Sequence, residues 1–274
     1  MERPATAAGS KALILCADDF ALNLPVSEAI VALMAAGRLS VTSCMSDAPA
    51  WSEHGSELRR HGWEARAGLH FNLTEAFEGL PAQALSKVML AAHLRRLGRG
   101  RLRDAFARQL DRYEAVMGAA PAFVDGHQHV HLFPQVRHVL LGVMAERYQQ
   151  RPWMRSLANM VGPMPASKAL ALKLMGANAH ARAARKQGVP LIPAFAGLYS
   201  LSADADFGSL MQQWLAALPD GGLMMCHPAT QALPDDVIGP ARQAEFAWLA
   251  SDAWPAALAA AQAHLVFAPS LGAV

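Results

Sequence analysis

The sequence predicts an α/β fold: a distorted or incomplete (β/α) barrel of about seven or eight parallel strands. Three observations carry that expectation. Short apolar runs alternate with helical patterns along the whole chain. Polar clusters sit where those runs end. At 274 residues the chain has the length of a single α/β barrel domain.

The expected strands are Ala12–Ala17, Val41–Ser46, Ala65–Leu69, Phe123–Gly126, Trp153–Ser156, Pro190–Phe195, Gly222–Cys226 and Leu265–Ala268. The expected helices are Pro25–Ala36, Glu53–Arg60, Leu85–Leu97, Leu102–Met117, Gln135–Tyr148, Ala166–His180, Phe207–Leu218 and Ala241–Ala263. Pro25 suits a first helical turn and Gly37 suits a stop. No repeat and no linker divides the chain, so residues 1–274 read as one domain, with 1–10 as a flexible tail. Eight strands match the number that closes a small barrel.

Composition narrows the function classes. Hydrophobic residues make up 53% and charged residues 17%, with a formal net charge of +2. That is an enzyme-like balance rather than a disordered one, and it gives no argument for a nucleic-acid partner. No apolar run reaches membrane-spanning length, and the run before Asp18 is too short for a signal peptide. Cys16, Cys44 and Cys226 are odd in number and scattered, so they read as small apolar residues of a reduced, cytoplasmic protein. Apolar excess raises a homodimer as an option. The basic stretch His93–Arg103 reads as a solvated or anion-contacting face, and segment 163–188 as a helical excursion beside the site mouth.

Four polar clusters carry chemistry: Asp18-Asp19 in ILCADDF, His70 in AGLHFNLTE, Asp125 through His131 in FVDGHQHVHLFP, and His227 in LMMCHPA. In parallel α/β folds the strand ends at one pole build the site, so distant clusters can meet there. A carboxylate and two imidazoles suit a borderline divalent ion and leave positions for water and substrate. A second carboxylate can take the water's proton, and a histidine across the site can protonate a leaving amine. Singly, an Asp pair can cap a turn, and a lone histidine can be structural. Histidines at 127, 129 and 131 would share one face of an extended strand. Asn72, Thr74 and Arg155 are candidate pocket residues, and Arg155 has the alternative of pairing with Asp18 to tune it.

At ADDFALN, GLHFNLT, DGHQHVHLFP and MCHPA the chain resembles the YdjC family, the group of chitooligosaccharide deacetylase and hopanoid-associated deacetylases. The resemblance runs from about Leu13 to the C-terminus. It implies a barrel of the NodB-like deacetylase architecture and removal of acetyl groups from N-acetylated sugars with one divalent metal ion, magnesium or zinc. It places the metal on Asp19, His70 and His127, the general base on Asp18 and the general acid on His227. Asp125, His129 and His131 become orienting residues or substrate contacts. The expected partner is an N-acetylated saccharide or a glycolipid. Two departures stand out. Ala21 occupies a position where the family often has glycine, and DGHQHVH replaces DSHHHVH. Under strand alternation Gln128 points away from His127. The rival readings are a two-metal phosphoesterase or other amidohydrolase on a similar barrel, and a sugar-binding relative without catalysis.

Overall fold

All strand pairings are parallel, in the order β5-β4-β3-β2-β1-β7-β6, with β8 joined to β1. The strands are β1 (Lys11–Phe20), β2 (Val41–Cys44), β3 (Ala67–Phe71), β4 (Phe123–Gly126), β5 (Trp153–Met154), β6 (Phe195–Ala196), β7 (Leu223–Cys226) and β8 (Ala263–Leu265). This computed structural model describes residues 10–77 and 82–269. The expected tail of residues 1–10 lies almost wholly outside them. No described helix is long and apolar enough to cross a membrane.

Strand β1 is the spine. Its residues Leu13–Ala17 are fully buried, as a central strand with helices on its outer face and packed side chains of the barrel interior on its inner face must be. At its start, Lys11–Leu13 pair with β8; further on, Ile14–Ala17 pair with β7 and Cys16–Phe20 with β2. The sheet curls until its two ends approach. There the seam is held by single bridges, Met154 to Leu191 and Met160 to Phe195. The barrel is therefore incomplete, as the sequence predicts.

Helices cover the outside: α1 (Leu24–Ala35), α2 (Trp51–Arg60), α3 (Leu85–His93), α4 (Arg99–Met117), α5 (Pro134–Arg147), α6 (Ala166–Met175), α7 (Ala177–Lys186), α8 (Phe207–Ala217), α9 (Gly239–Ala250) and α10 (Ala253–Ala260). Asn23 caps α1 through its side chain, which accepts from the Val26 amide at 3.1 Å; that satisfies one of the orphan donors of the first turn.

The expected elements differ from the observed ones for local reasons. The strand expected at Pro190–Phe195 shrinks to Phe195–Ala196, because Pro190 and Pro193 have no amide to give a ladder. The helix expected at Ala166–His180 breaks at Gly176, whose φ is +106°. A Cβ there would lie 2.9 Å from the Leu132 carbonyl oxygen, so only glycine fits. The helix expected at Ala241–Ala263 divides at Ser251, whose backbone is extended. The strand expected at Leu265–Ala268 forms earlier, as β8.

Candidate active site

The backbone itself shapes the turn that carries Asp18 and Asp19. Between Ala17 and Phe20 the β1–β2 register slips, three steps on β1 facing two on β2. This bulge turns Asp18 and Asp19 to different neighbours, with Asp19 at φ +68° and Ala21 at φ +73°. Aspartate tolerates the left-handed region; alanine is strained there. The positive φ that the missing glycine implies is thus present, and alanine bears it. The turn is tied by the Leu22 amide donating to Asp19 carbonyl oxygen and the Ala21 amide donating to Ser27 Oγ.

Three donor groups converge beside this bulge. Asp19 Oδ1 lies 2.9 Å from His127 Nδ1 and 3.3 Å from His70 Nε2. One ligand atom from each of Asp19, His70 and His127 falls within 4.8 Å of the other two. His70 and Asp125 are direct register partners on β3 and β4, and Asp125 Oδ1 holds His70 Nδ1 at 2.7 Å. Ser43 Oγ donates to the same Asp125 oxygen at 2.5 Å. That leaves Nε2 of His70 facing the centre, the arrangement by which a carboxylate fixes a ligating imidazole. Burial opposes a charged His70, yet the Asp125 and Asp18 carboxylates outweigh it and push its pKa up to about 10. Burial likewise opposes charge on His127, and Asp19 reverses it, raising that pKa. Such a corner favours a positive charge, and its donor set of one carboxylate and two imidazoles fits a divalent cation.

Asp18 faces the other way. Arg155, which is fully buried, grips both its oxygens, at 2.6 Å and 2.5 Å, and also reaches Asp125 Oδ2 at 2.6 Å. Burial acts to raise the Asp18 pKa, and Arg155 overrides it, holding the carboxyl well below its usual range. Cys16, Asp18 and Asp125 form a second convergent group, but Arg155 fills it, its Nη2 also lying 3.2 Å from Cys16 Sγ. A guanidinium already occupies the place a second ion would need. Arg155 is therefore a positioning residue for Asp18, and the alternative role as a pocket contact fails because the side chain has no exposed surface.

His227 follows β7. Its Nε2 is 3.9 Å from Asp18 Oδ2, and its backbone amide donates to Glu245 Oε2. Burial lowers the His227 pKa to about 4, against the pull of Asp19 and Asp18. Glu245 is itself buried, with its pKa raised to about 7 by that burial, and accepts from Tyr199 OH at 2.6 Å.

The stripe expected at 127, 129 and 131 does not exist. Residues His127–Leu132 coil in short turns broken by a kink at Gln128 and His129, whose φ are +51° and +60°. Only His127 reaches the corner formed with Asp19 and His70. His129 borders the cavity, packed edge-on to Phe195 and held neutral, its pKa lowered to about 3 by burial first and Arg155 second. His131 turns into the interior against His180 and contacts no substrate space. Gln128, expected to point away, lines the cavity. Asn72 also takes a different place. Its Oδ1 accepts from the Thr74 and Glu75 amides, and its Nδ2 donates to Asp47 Oδ2 and Glu75 carbonyl oxygen. It anchors the loop that brings Glu75 within 3.7 Å of His127 Nε2.

Residues outside the sequence reading complete the site. Arg242 on α9 bridges Asp19 Oδ2 and Asp236 Oδ2, each at 2.7 Å. Burial raises the Asp19 pKa, but Arg242 and then His127 hold it well below its usual range. The three cysteines are buried free thiols, and burial pushes their pKa values up.

Above this floor opens a cavity of about 870 Å³. Asp18, Asp19, His70, His127 and His227 form its base, while Leu22, Phe77, Leu85, Leu172, Leu198 and Leu233 wall it. Segment 163–188 contributes Lys168, Ala171, Leu172 and Met175, so the excursion does border the mouth.

A parallel α/β barrel with a carboxylate–imidazole corner at the base of a cavity defines a class of proteins whose site offers the donor set a divalent ion would need. Within that class the chain belongs to the YdjC-like protein family, whose model matches residues 12–260. It is 30% identical over 252 residues to a carbohydrate deacetylase of Mus musculus, an alignment spanning 81% of this chain and 79% of that one. It is also 30% identical over 137 residues to a chitooligosaccharide deacetylase of Yersinia enterocolitica, covering 46% of this chain and 53% of the other. Among solved structures, a proposed cellobiose-phosphate cleavage protein of Enterococcus faecalis V583 superposes with a TM-score of 0.70 at 18% identity, covering 94% of this chain and 98% of that one. That likeness speaks for the fold alone.

Proposed function

We propose that this chain is a carbohydrate N-deacetylase that removes an acetyl group from an N-acetylated sugar with one divalent ion. The observation that carries the reading is the meeting of Asp19, His70 and His127 at the base of the cavity, with ligand atoms within 4.8 Å of one another. A cation held there would polarise the acetyl carbonyl and acidify a water. Asp18 accepts the water's proton. Arg155 holds that carboxylate in one orientation and keeps it anionic until it acts. His227, 3.9 Å from Asp18 and neutral in the resting site, receives from Asp18 the proton taken from the water and passes it to the departing amine. Glu245 fixes the backbone of His227 and thereby the approach of its ring.

Two imidazoles lean toward zinc on ligand softness, while magnesium suits the carboxylate. The test is acetate release from N-acetylated chitooligosaccharides and from an acetylated glycolipid. The protein is first stripped with chelator, then reloaded with zinc or with magnesium. Release that returns with one ion per chain supports the reading. No acetate from either substrate with either metal would sink it.

A further inference from the structure

The face beside the cavity mouth departs from an ordinary solvated surface in two ways. Leu90 on α3 and Leu94, which caps that helix, stand one turn apart, Leu170 and Leu174 stand one turn apart on α6, and each is more than half exposed. The two helices meet where His93 Nε2 lies 3.0 Å from the Leu174 carbonyl oxygen. The same helices wall the cavity through Leu85, Ala171, Leu172 and Met175. Apolar surface therefore runs from outside the molecule across the lip and into the site, and exposed patches of this kind mark interaction surfaces.

The second departure is charge. Segments 82–103 and 163–188 contain eleven lysines and arginines and no aspartate or glutamate, in a chain with 24 basic and 22 acidic residues. Among the described residues, Arg103 with Glu146 is the only ion pair any of the eleven makes. The basic groups stand near one another across helices. His138 on α5 is held below its usual pKa by partial burial and then by Arg137, Arg95 and Arg99, and Arg137 in turn feels Arg182.

We infer that this face docks on an anionic lipid bilayer, leucines entering the headgroup boundary and arginines meeting the lipid phosphates. A second copy of this chain is a poorer occupant. A two-fold interface brings a patch against itself, and here it would set basic surface on basic surface. A dissolved saccharide needs no leucine lip. Docked this way, the cavity mouth opens at the lipid–water boundary. Its apolar walls then take the lipid part of an acetylated glycolipid while the sugar reaches the polar floor. That last step rests on the deacetylase reading; the docking does not.

Vesicle flotation tests it, using the full chain with vesicles of phosphatidylcholine alone and of phosphatidylcholine mixed with phosphatidylglycerol. Binding is expected to the anionic vesicles only, and to weaken as salt is raised. Changing Leu90, Leu94, Leu170 and Leu174 together to Ser should weaken it at least about tenfold, as should Arg95→Glu with Arg99→Glu. Both variants should keep the wild-type melting temperature and the wild-type rate of acetate release from a soluble N-acetylated saccharide. No flotation with anionic vesicles, or binding indifferent to both variants, overturns the docking. So does a wild-type dimer that the leucine variant converts to monomer, for the patch is then a self-interface. Flotation with no acetate from any substrate leaves docking intact and removes the deacetylase reading instead.

Discussion

His70 and His127 stand edge-on with ring centroids 5.5 Å apart, and His131 and His180 stand edge-on at 5.2 Å. Both pairs are removed from water, and three of the four histidines are almost wholly buried. Their chemistry is nonetheless opposite. The first pair shares one oxygen of Asp19, with Asp125 behind His70 and Glu75 near His127. In the second, none of the four ring nitrogens has a hydrogen-bond partner among the described residues. Burial pushes both kinds of imidazole toward the neutral form; neighbouring carboxylates reverse that in one pair and are absent from the other. Histidine spacing does not gather the donor set a cation would need. Carboxylates placed by adjoining strands do.

The sharpest way to break this contrast is to remove one histidine from each pair. His127→Ala is expected to abolish metal binding and to lower acetate release at least about 10³-fold, since it removes a ligand from the group that stabilises the developing charge. His131→Ala should leave one ion per chain and cost roughly 1–3 kcal/mol of stability. Metal content by mass spectrometry and urea unfolding measure the two effects. An ion retained by His127→Ala, or lost from His131→Ala, ends the distinction.

Next in size is Asp18→Asn, which separates holding the ion from using it. Metal content should stay at the wild-type value while turnover falls at least about 10²-fold, the usual scale for losing a general base. Arg155 keeps its second partner, Asp125, so the chain is expected to fold; a thermal melt of the variant checks that. A turnover near wild type would remove Asp18 from the role.

Much of the first pair was legible and almost none of the second. Asp18, Asp19, His70 and His227 each end an apolar run, and parallel strands must bring such ends to one pole. The segment after Gly126 misled because alternation implies a shared face only if the backbone is extended. Pro134 opens α5, leaving seven residues after Gly126 before the helix, and they coil instead. That short span was itself a signal against a strand. Arg242, Glu245, Glu75 and Ser43 carried no signal. They are ordinary residues on a helix, a loop and a strand, and only distance reveals Arg242 on the far oxygen of Asp19 or Ser43 behind His70. Arg155 was legible as a charge at a strand end, but its burial against Asp18 and Asp125 was one of two open readings.

The unpartnered pair gives a pH signature of its own. Burial, helped by Arg137, lowers the His180 pKa to about 4, whereas an unfolded histidine titrates near 6.5. Below about 6.5 the unfolded chain takes up a proton that the folded one refuses. Stability from this group is therefore complete above that pH and declines as pH falls toward about 4, with a slope of up to about 1.4 kcal/mol per pH unit. His129, His131, His138 and His227 are also held below their usual pKa, by burial first, so the useful quantity is the difference between wild type and His180→Leu in urea midpoints from pH 7 to pH 4.5. The wild type should lose more stability than the variant. Parallel curves would mean that His180 is not held neutral.

The smallest expected effect concerns the bulge that places Asp19. Ala21 sits at φ +73° with its side chain buried, a backbone that costs a non-glycine residue roughly 1–2 kcal/mol. Glycine would relieve that strain but lose more entropy on folding, by about 0.5–1 kcal/mol. The balance for Ala21→Gly is a gain of roughly 0–1.5 kcal/mol, or up to a few degrees in melting temperature for a chain of this size. Metal stoichiometry and turnover should not change, because the turn is already held by the Leu22 and Ala21 amides. A variant that melts lower than wild type would show that the buried methyl group contributes more than the strained backbone takes away. The positive φ would then be tolerated because packing around Ala21 rewards it, and the departure from glycine would be a stabilising one.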